Sequence, residues 1–474
     1  TLAMSSAASD VYKRQAEGQQ LLTDDAVLRG KITVEGLNAV ITEREDEGES
    51  ALWYLAGSSK GRKLLIEDDV LRSKVTAEAL NAVVANGQYR GYSALYFLAS
   101  EYEGRQLLIN DVELRGKITA KGLNAVIPDS YAVLSYLASS PEGRQLLLDD
   151  SHLRNKITAE GLNAVVARGR NKGTSALWFL ASTSKGRRLL KNDDELRGKI
   201  TIEGLTTVVD HGNFVGHSAL MFLTSSDEGR QLLLEDNSLR GKIIAEELNA
   251  VIAEGSYKGE CPLVHLASNS NSLQLLHDDA ELRGKITADG LNAVIVEGPL
   301  RCRSALMFLA CCPKGRQLLI EDDCLRGKIT AEGLNAVILE GHHEGESALL
   351  YLTSSDEGRQ LLLDDSHLRN KITAEGLNAI IARGSKKGES ALWFLAASFR
   401  GRRLLNYDAD LLAKIAAEGL NKEVVVGEYK GYSALRFLVE CNVGRQLLDD
   451  PVLRDKITTE GVYTAFRNRE FMIS

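Results

Sequence analysis

Histidine and cysteine are the residues of this 474-residue chain that would do chemistry if their spacing allowed it. His152 and His367 occupy equivalent places in two nearly identical segments, 143–167 and 358–382, which stand 215 residues apart. That separation is five 43-residue repeats, roughly 50 Å at about one 10 Å helix diameter per layer. The two imidazoles therefore make no acid–base dyad. Cys302, Cys311, Cys312 and Cys324 crowd together in sequence but lack the C-x-x-C pairs that a zinc site uses. No glycine loop is spaced for phosphate, and no Ser/His/Asp set falls where repeat packing would join it. The expectation is a chain with no catalytic residue, no metal and no cofactor, and not an enzyme.

Other polar residues recur too regularly to be unique catalytic groups. The Asp of D-x-x-L-R, the Arg and Lys of L-R-x-K-I and the Asn of L-N return in nearly every repeat. Asp68 and Arg72 lie four apart and are expected to pair on one helix. The Asn position (Asn81, Asn163, Asn292 and Asn378 among nine copies) is notable because an Asn inside a helix needs a partner for its amide. The plain expectation from the residues is that each amide satisfies a neighbouring loop carbonyl.

Two positions vary in the way a binding surface varies. One follows Ser-Ala-Leu and reads Trp53, Tyr96, Ser135, Trp178, Met221, Val264, Met307, Leu350, Trp393 and Arg436. The next residue is nearly always Phe or Tyr and reads as core. The variable one lies about 100° around the helix and is expected to form an exposed ridge of interface anchors. The other is the tripeptide between loop glycines, which carries Tyr89, Phe214, Tyr257 and Tyr429 among polar residues. Loops on a rigid scaffold often carry recognition.

The elements behind these positions follow from the period. The Gly of G-R-x-L-L stands at 61, 104, 143, 186, 229, 315, 358, 401 and 444, with Gly18 before them and Ser272 in one copy. Every interval is 43 except Gly104 to Gly143, which is 39, and the loss falls near Pro128, an irregular joint at 127–131. Eleven copies of the GR-to-LN part and ten of the SAL part are present. The five-repeat similarity implies that several repeats were duplicated as a block. Residues 1–15 break the phase and resemble translated adapter sequence at the ends of metagenomic contigs, so a non-native segment on a fragment is expected. Residues 16–474 then read as one continuous array with a divergent end at 459–474.

Repeat columns also show where helices begin. Ser opens S-A-L in eight copies, an N-cap residue. A second start is expected two residues before the GR glycine (Ser59, Ser184, Asp227, Pro141, Pro313), a third at Asp seven after it, and a fourth start or a kink at Thr of K-I-T. The Gly of E-G-L-N is replaced by Ala79 and Glu247 and so needs no positive φ. The loop pairs Gly87/Gly91 and Gly255/Gly259 fit a helix C-cap and a turn. Nothing alternates long enough for a strand. Each repeat is three or four short helices, none stable alone at under about 12 residues.

The segments G-E-S-A-L-W-Y-L-A at 48–56 and G-E-C-P-L-V-H-L-A at 259–267 resemble the first helix of an ankyrin repeat, and G-R-x-L-L resembles its second. The unit departs from that family in being about ten residues longer, over the segment L-R-x-K-I-T-A-E-G-L-N-A-V-I, and a 43-residue unit is similar instead to an armadillo or HEAT repeat. The resemblance implies an all-α solenoid of bacterial interaction-protein type. An armadillo-like Asn ladder would be its peptide grip.

Composition narrows the partner. Net charge is -8, with 57 basic and 65 acidic residues, which argues against nucleic acid or an anionic membrane surface. No apolar run approaches the roughly 18 residues of a membrane span. The six unmatched cysteines point to a reducing compartment rather than a disulfide framework. The expectation is a cytoplasmic monomer, or one secreted into a host cell, that scaffolds a protein or extended peptide. A spacer without a ligand and the recognition arm of a larger enzyme are the alternatives.

Overall fold

The computed structural model describes residues 24–41, 48–87, 89–127, 130–168, 171–210, 212–341, 343–384 and 386–466. The segment 1–15, loop residues Gln88, Arg170, His342 and Ser385, Pro128 of the irregular joint, and the end beyond Phe466 lie outside them. All regular structure in the described residues is helical. No strand occurs among them, and one isolated antiparallel bridge links Ile380 and Ser390.

Each full repeat builds four helices, as in Ala176–Ser182, Ser184–Asn192, Asp194–Gly198 and Ile202–Thr206. Four side-chain caps set their starts. Ser175 accepts from the Trp178 amide at 3.1 Å, Thr183 from Gly186 at 3.2 Å, Asp193 from Leu196 at 2.9 Å and Thr201 from Gly204 at 3.1 Å. The Thr of K-I-T therefore begins a true fourth helix. The second helix starts at its sequence column, with Ser184 as the first helical residue and Thr183 before it as the cap. Pro141 and Pro313 then fall at the first helical position, where a missing N–H costs nothing.

The loop glycines close a turn rather than a helix. The helix Ala77–Asn81 ends before an extended stretch, and Gly87 and Gly91 take φ of 78° and 92° beyond it. The Val84 amide donates to Tyr92 and the Gly91 amide to Val84, both at 2.9 Å, so the turn is hairpin-like. Cys302 replaces the second glycine of one loop and adopts φ 66°.

The chain falls into two compact units, one ending at Lys242 and the other beginning at Ile243. In the first, the helix Ala176–Ser182 packs against Val133–Ser139 before it and Ala219–Ser225 after it, as well as on its own Ser184–Asn192. In the second, Ala348–Ser354 packs in the same way on Ala305–Cys311, Ala391–Ala397 and Asp356–Asp364. Like helix stacks on like helix, and the core is a column of Leu, Ala and Ile from successive repeats. The GR glycine sits where first and second helices touch. A Cβ at Gly186 would lie 2.2 Å from the Leu180 carbonyl. Where Ser272 replaces it, the first helix Pro262–Ala267 is one residue shorter, ends in αR geometry at Ser268, and accepts the Ser272 hydroxyl on Leu266 at 2.7 Å. The C-terminal stretch keeps a helix over Thr459–Phe466, longer than the usual fourth helix.

Candidate binding surface and inter-repeat joints

The recurrent polar residues are joints between repeats. Asp68 caps its helix by accepting from the Leu71 amide at 2.9 Å, which turns its other oxygen toward the preceding repeat. There it meets Arg29 at 3.1 Å, while Arg72 reaches forward to Asp111 at 2.8 Å. The expected Asp68–Arg72 pair within one helix is thus replaced by pairs 39 residues apart, because the capping role dictates where the carboxylate points. The same bond joins Arg115 to Asp150 and Arg154 to Asp193 in the first unit, and Arg283 to Asp322 and Arg326 to Asp365 in the second. Arg72 also donates to the carbonyls of Leu65 at 2.8 Å and Ile66 at 2.7 Å, closing the end of the second helix. Burial alone would raise the Asp111 carboxyl, but the Leu114 amide and the Arg72 guanidinium outweigh it and hold it below the ordinary carboxylate range. Lys74 adds a third tie, donating to the Ile32 carbonyl of the preceding repeat at 2.6 Å.

The Asn position is a ladder, but one turned inward. Asn163 donates to Ala159 in its own helix at 2.6 Å and to Lys199 of the next repeat at 2.8 Å, and accepts from the Thr201 amide at 3.0 Å. Asn81, Asn292 and Asn378 repeat this pattern onto Lys117, Lys328 and Lys414. Both N–H groups of each amide are committed to backbone, so none is left to grip a peptide. The helical glycine of E-G-L-N belongs to the same joint. Its φ is not positive, as expected, and a Cβ at Gly204 would stand 2.0 Å from the Asn163 amide oxygen.

The expected exposed ridge is core. Trp53, Tyr96, Trp178, Met221, Met307 and Trp393 retain 2–7% of their surface, and Ser135 and Arg436 are buried beside them. At Trp178 and Trp393 a neighbouring first helix packs on each side, which leaves the Phe/Tyr position as the more open one. The Trp178 indole donates to the His217 carbonyl of the next repeat at 3.1 Å and meets Phe179 and Phe222 edge-on, each 5.1 Å away. The loop aromatics lie over these tryptophans. Tyr89 is 5.1 Å from Trp53, Phe214 5.8 Å from Trp178 and Tyr429 5.4 Å from Trp393. Tyr89 and Tyr257 are half-buried, whereas Tyr429 and Phe214 stay exposed. Of the loop aromatics, Tyr429 and Phe214 keep exposed ring surface.

Open grooves lie elsewhere, over the Arg–Asp joints. In the first unit one of about 440 Å³ is lined by Ile66 and Arg72 of one repeat and Gln106, Asn110 and Glu113 of the next. In the second unit one of about 910 Å³ is lined by Ile320, Asp323 and Arg326, then Gln360, Asp364 and His367. Every residue that lines the smaller groove has its repeat equivalent in the larger, which extends further to Asp323 and Lys371. Each has a mostly buried guanidinium as floor, and its exposed rim carries Asn110 and Glu113 in one and Asp364 and His367 in the other. Reading His152 and His367 only as a dyad missed this edge; variation at the two positions after the capping Asp was its signal in the sequence.

Among the described residues no three His, Cys, Asp or Glu side chains gather to hold a metal ion, and no helix is long and apolar enough to cross a membrane. The chain matches no protein-family model, and no curated protein matches it.

Proposed function

We propose that the chain is an α-solenoid of ten to eleven ankyrin- and armadillo-like repeats that binds a protein or extended peptide along its surface, as a scaffold and not as an enzyme. The 43-residue period running through both compact units and the stacking of like helices within each support the architecture. The recurrence of one groove at the same register in both units carries the binding reading. A constant floor with a variable rim is how a repeat scaffold distinguishes partners while keeping its fold. The acidic rim members Glu113, Asp323 and Asp364 favour a peptide bearing Lys or Arg, and the net charge disfavours nucleic acid.

A panel of extended peptides bearing Lys or Arg at varied spacing, read by fluorescence anisotropy, tests this. Binding is expected to weaken with salt and to fall at least tenfold in Asp323→Lys/Asp364→Lys, with circular dichroism unchanged. Equal binding by parent and variant would exclude the groove and return attention to the loops around Tyr257 and Tyr429.

A further inference from the structure

One repeat differs from the others in a way that the scaffold does not require. The junction between first and second helices is a serine pair in several copies, and Cys311–Cys312 replaces it in one. The geometry is retained. Ser225 and Ser226 both donate to the Phe222 carbonyl, at 3.3 and 2.8 Å, and Ser226 caps the following helix through the Gly229 amide. The sulfurs of Cys311 and Cys312 likewise lie 3.2 and 3.5 Å from the Phe308 carbonyl, and the Cys312 sulfur accepts from the Gly315 amide at 3.4 Å. Two thiols therefore converge on one carbonyl oxygen. Cys311 is exposed and Cys312 half-buried.

We propose that Cys311 and Cys312 form a bidentate site for a soft, thiophilic trivalent arsenical. Adjacent sulfurs held on one side of the chain are the donor set that such a centre takes, since soft ligands select soft acceptors. The step is a condensation without redox change. Two S–H bonds break, two As–S bonds form, and the oxide oxygen of an organoarsenic(III) oxide leaves as water with the two thiol protons. Cys312 is prepared for the first attack: the adjacent Cys311 thiol, and the Gly315 amide that donates to its sulfur, lower its thiol below the ordinary cysteine value. Cys441 provides an internal control. It caps its helix in the same way, accepting from Gly444 at 3.3 Å, but has no neighbouring thiol. Cys261 is fully buried.

Phenylarsine oxide with the full chain, followed by intact mass, is the test. One equivalent is expected to be retained through washing with a monothiol and released by a dithiol. Cys311→Ser and Cys312→Ser should each lose the retained adduct, and both place at these positions the residue that other repeats carry, so folding is preserved. Cys441→Ser should keep it. No monothiol-resistant adduct on the parent chain, or an adduct that persists in either single variant, would overturn the site.

Discussion

Arg72 and Asp111 stand 39 residues apart in sequence and 2.8 Å apart in space, and their bond sits on the joint between two repeats. The guanidinium closes the second helix of its own repeat while the carboxylate starts the third helix of the next. One ion pair thus ties a helix end to a helix start across the joint. Because both side chains are mostly buried, its strength is set by hydrogen bonds rather than by screened surface charge.

Asp111→Asn keeps the cap oxygen but loses the charge facing Arg72. A cost of about 1.5–3 kcal/mol is expected, the range for hydrogen bonds to charged groups. Exchange of the Leu114 amide should accelerate accordingly, and a rate within twofold of the parent would show the pair to be idle. The pH dependence has a definite sign. Asp68, Asp111, Asp150, Asp193, Asp236, Asp322 and Asp365 all have depressed carboxyls. Their contribution is full above the unfolded Asp value, about 3.9, and is lost as pH falls through the lower folded values. Acid unfolding followed by circular dichroism should be steep there, and shallower in variants carrying Asn at these positions.

Asn163→Ala removes three hydrogen bonds and strands the Lys199 carbonyl and Thr201 amide at a half-buried joint. The expected loss is about 2–3 kcal/mol. Peptide binding should stay unchanged once folding is corrected for, since the amide has no free donor. An Asn163→Ala chain that folds with parental stability but loses a ligand would restore the peptide-gripping ladder.

Trp178→Ala empties a buried site between two repeats, at an expected cost of about 3–5 kcal/mol. Trp178→Phe should cost less because the ring contacts with Phe179 and Phe222 survive in part. Denaturant melts of both variants decide the matter. Parental stability in Trp178→Ala would mean that the indole is not core.

The sequence by itself determined the period, the all-helical class and nearly every helix start. Ser175, Asp193 and Thr201 announce themselves because a cap is a local interaction over three residues, and most copies of the repeat give the same message. Tertiary structure decided which neighbours those side chains meet. Nothing in D-x-x-L-R distinguishes a partner four residues away from one 39 away until the cap has aimed the carboxylate. The tryptophans were misread as a ridge for a related reason. A lone helix with one apolar stripe has an open side, but here the next repeat fills it, and burial on both flanks is a property of the stack rather than of any single repeat.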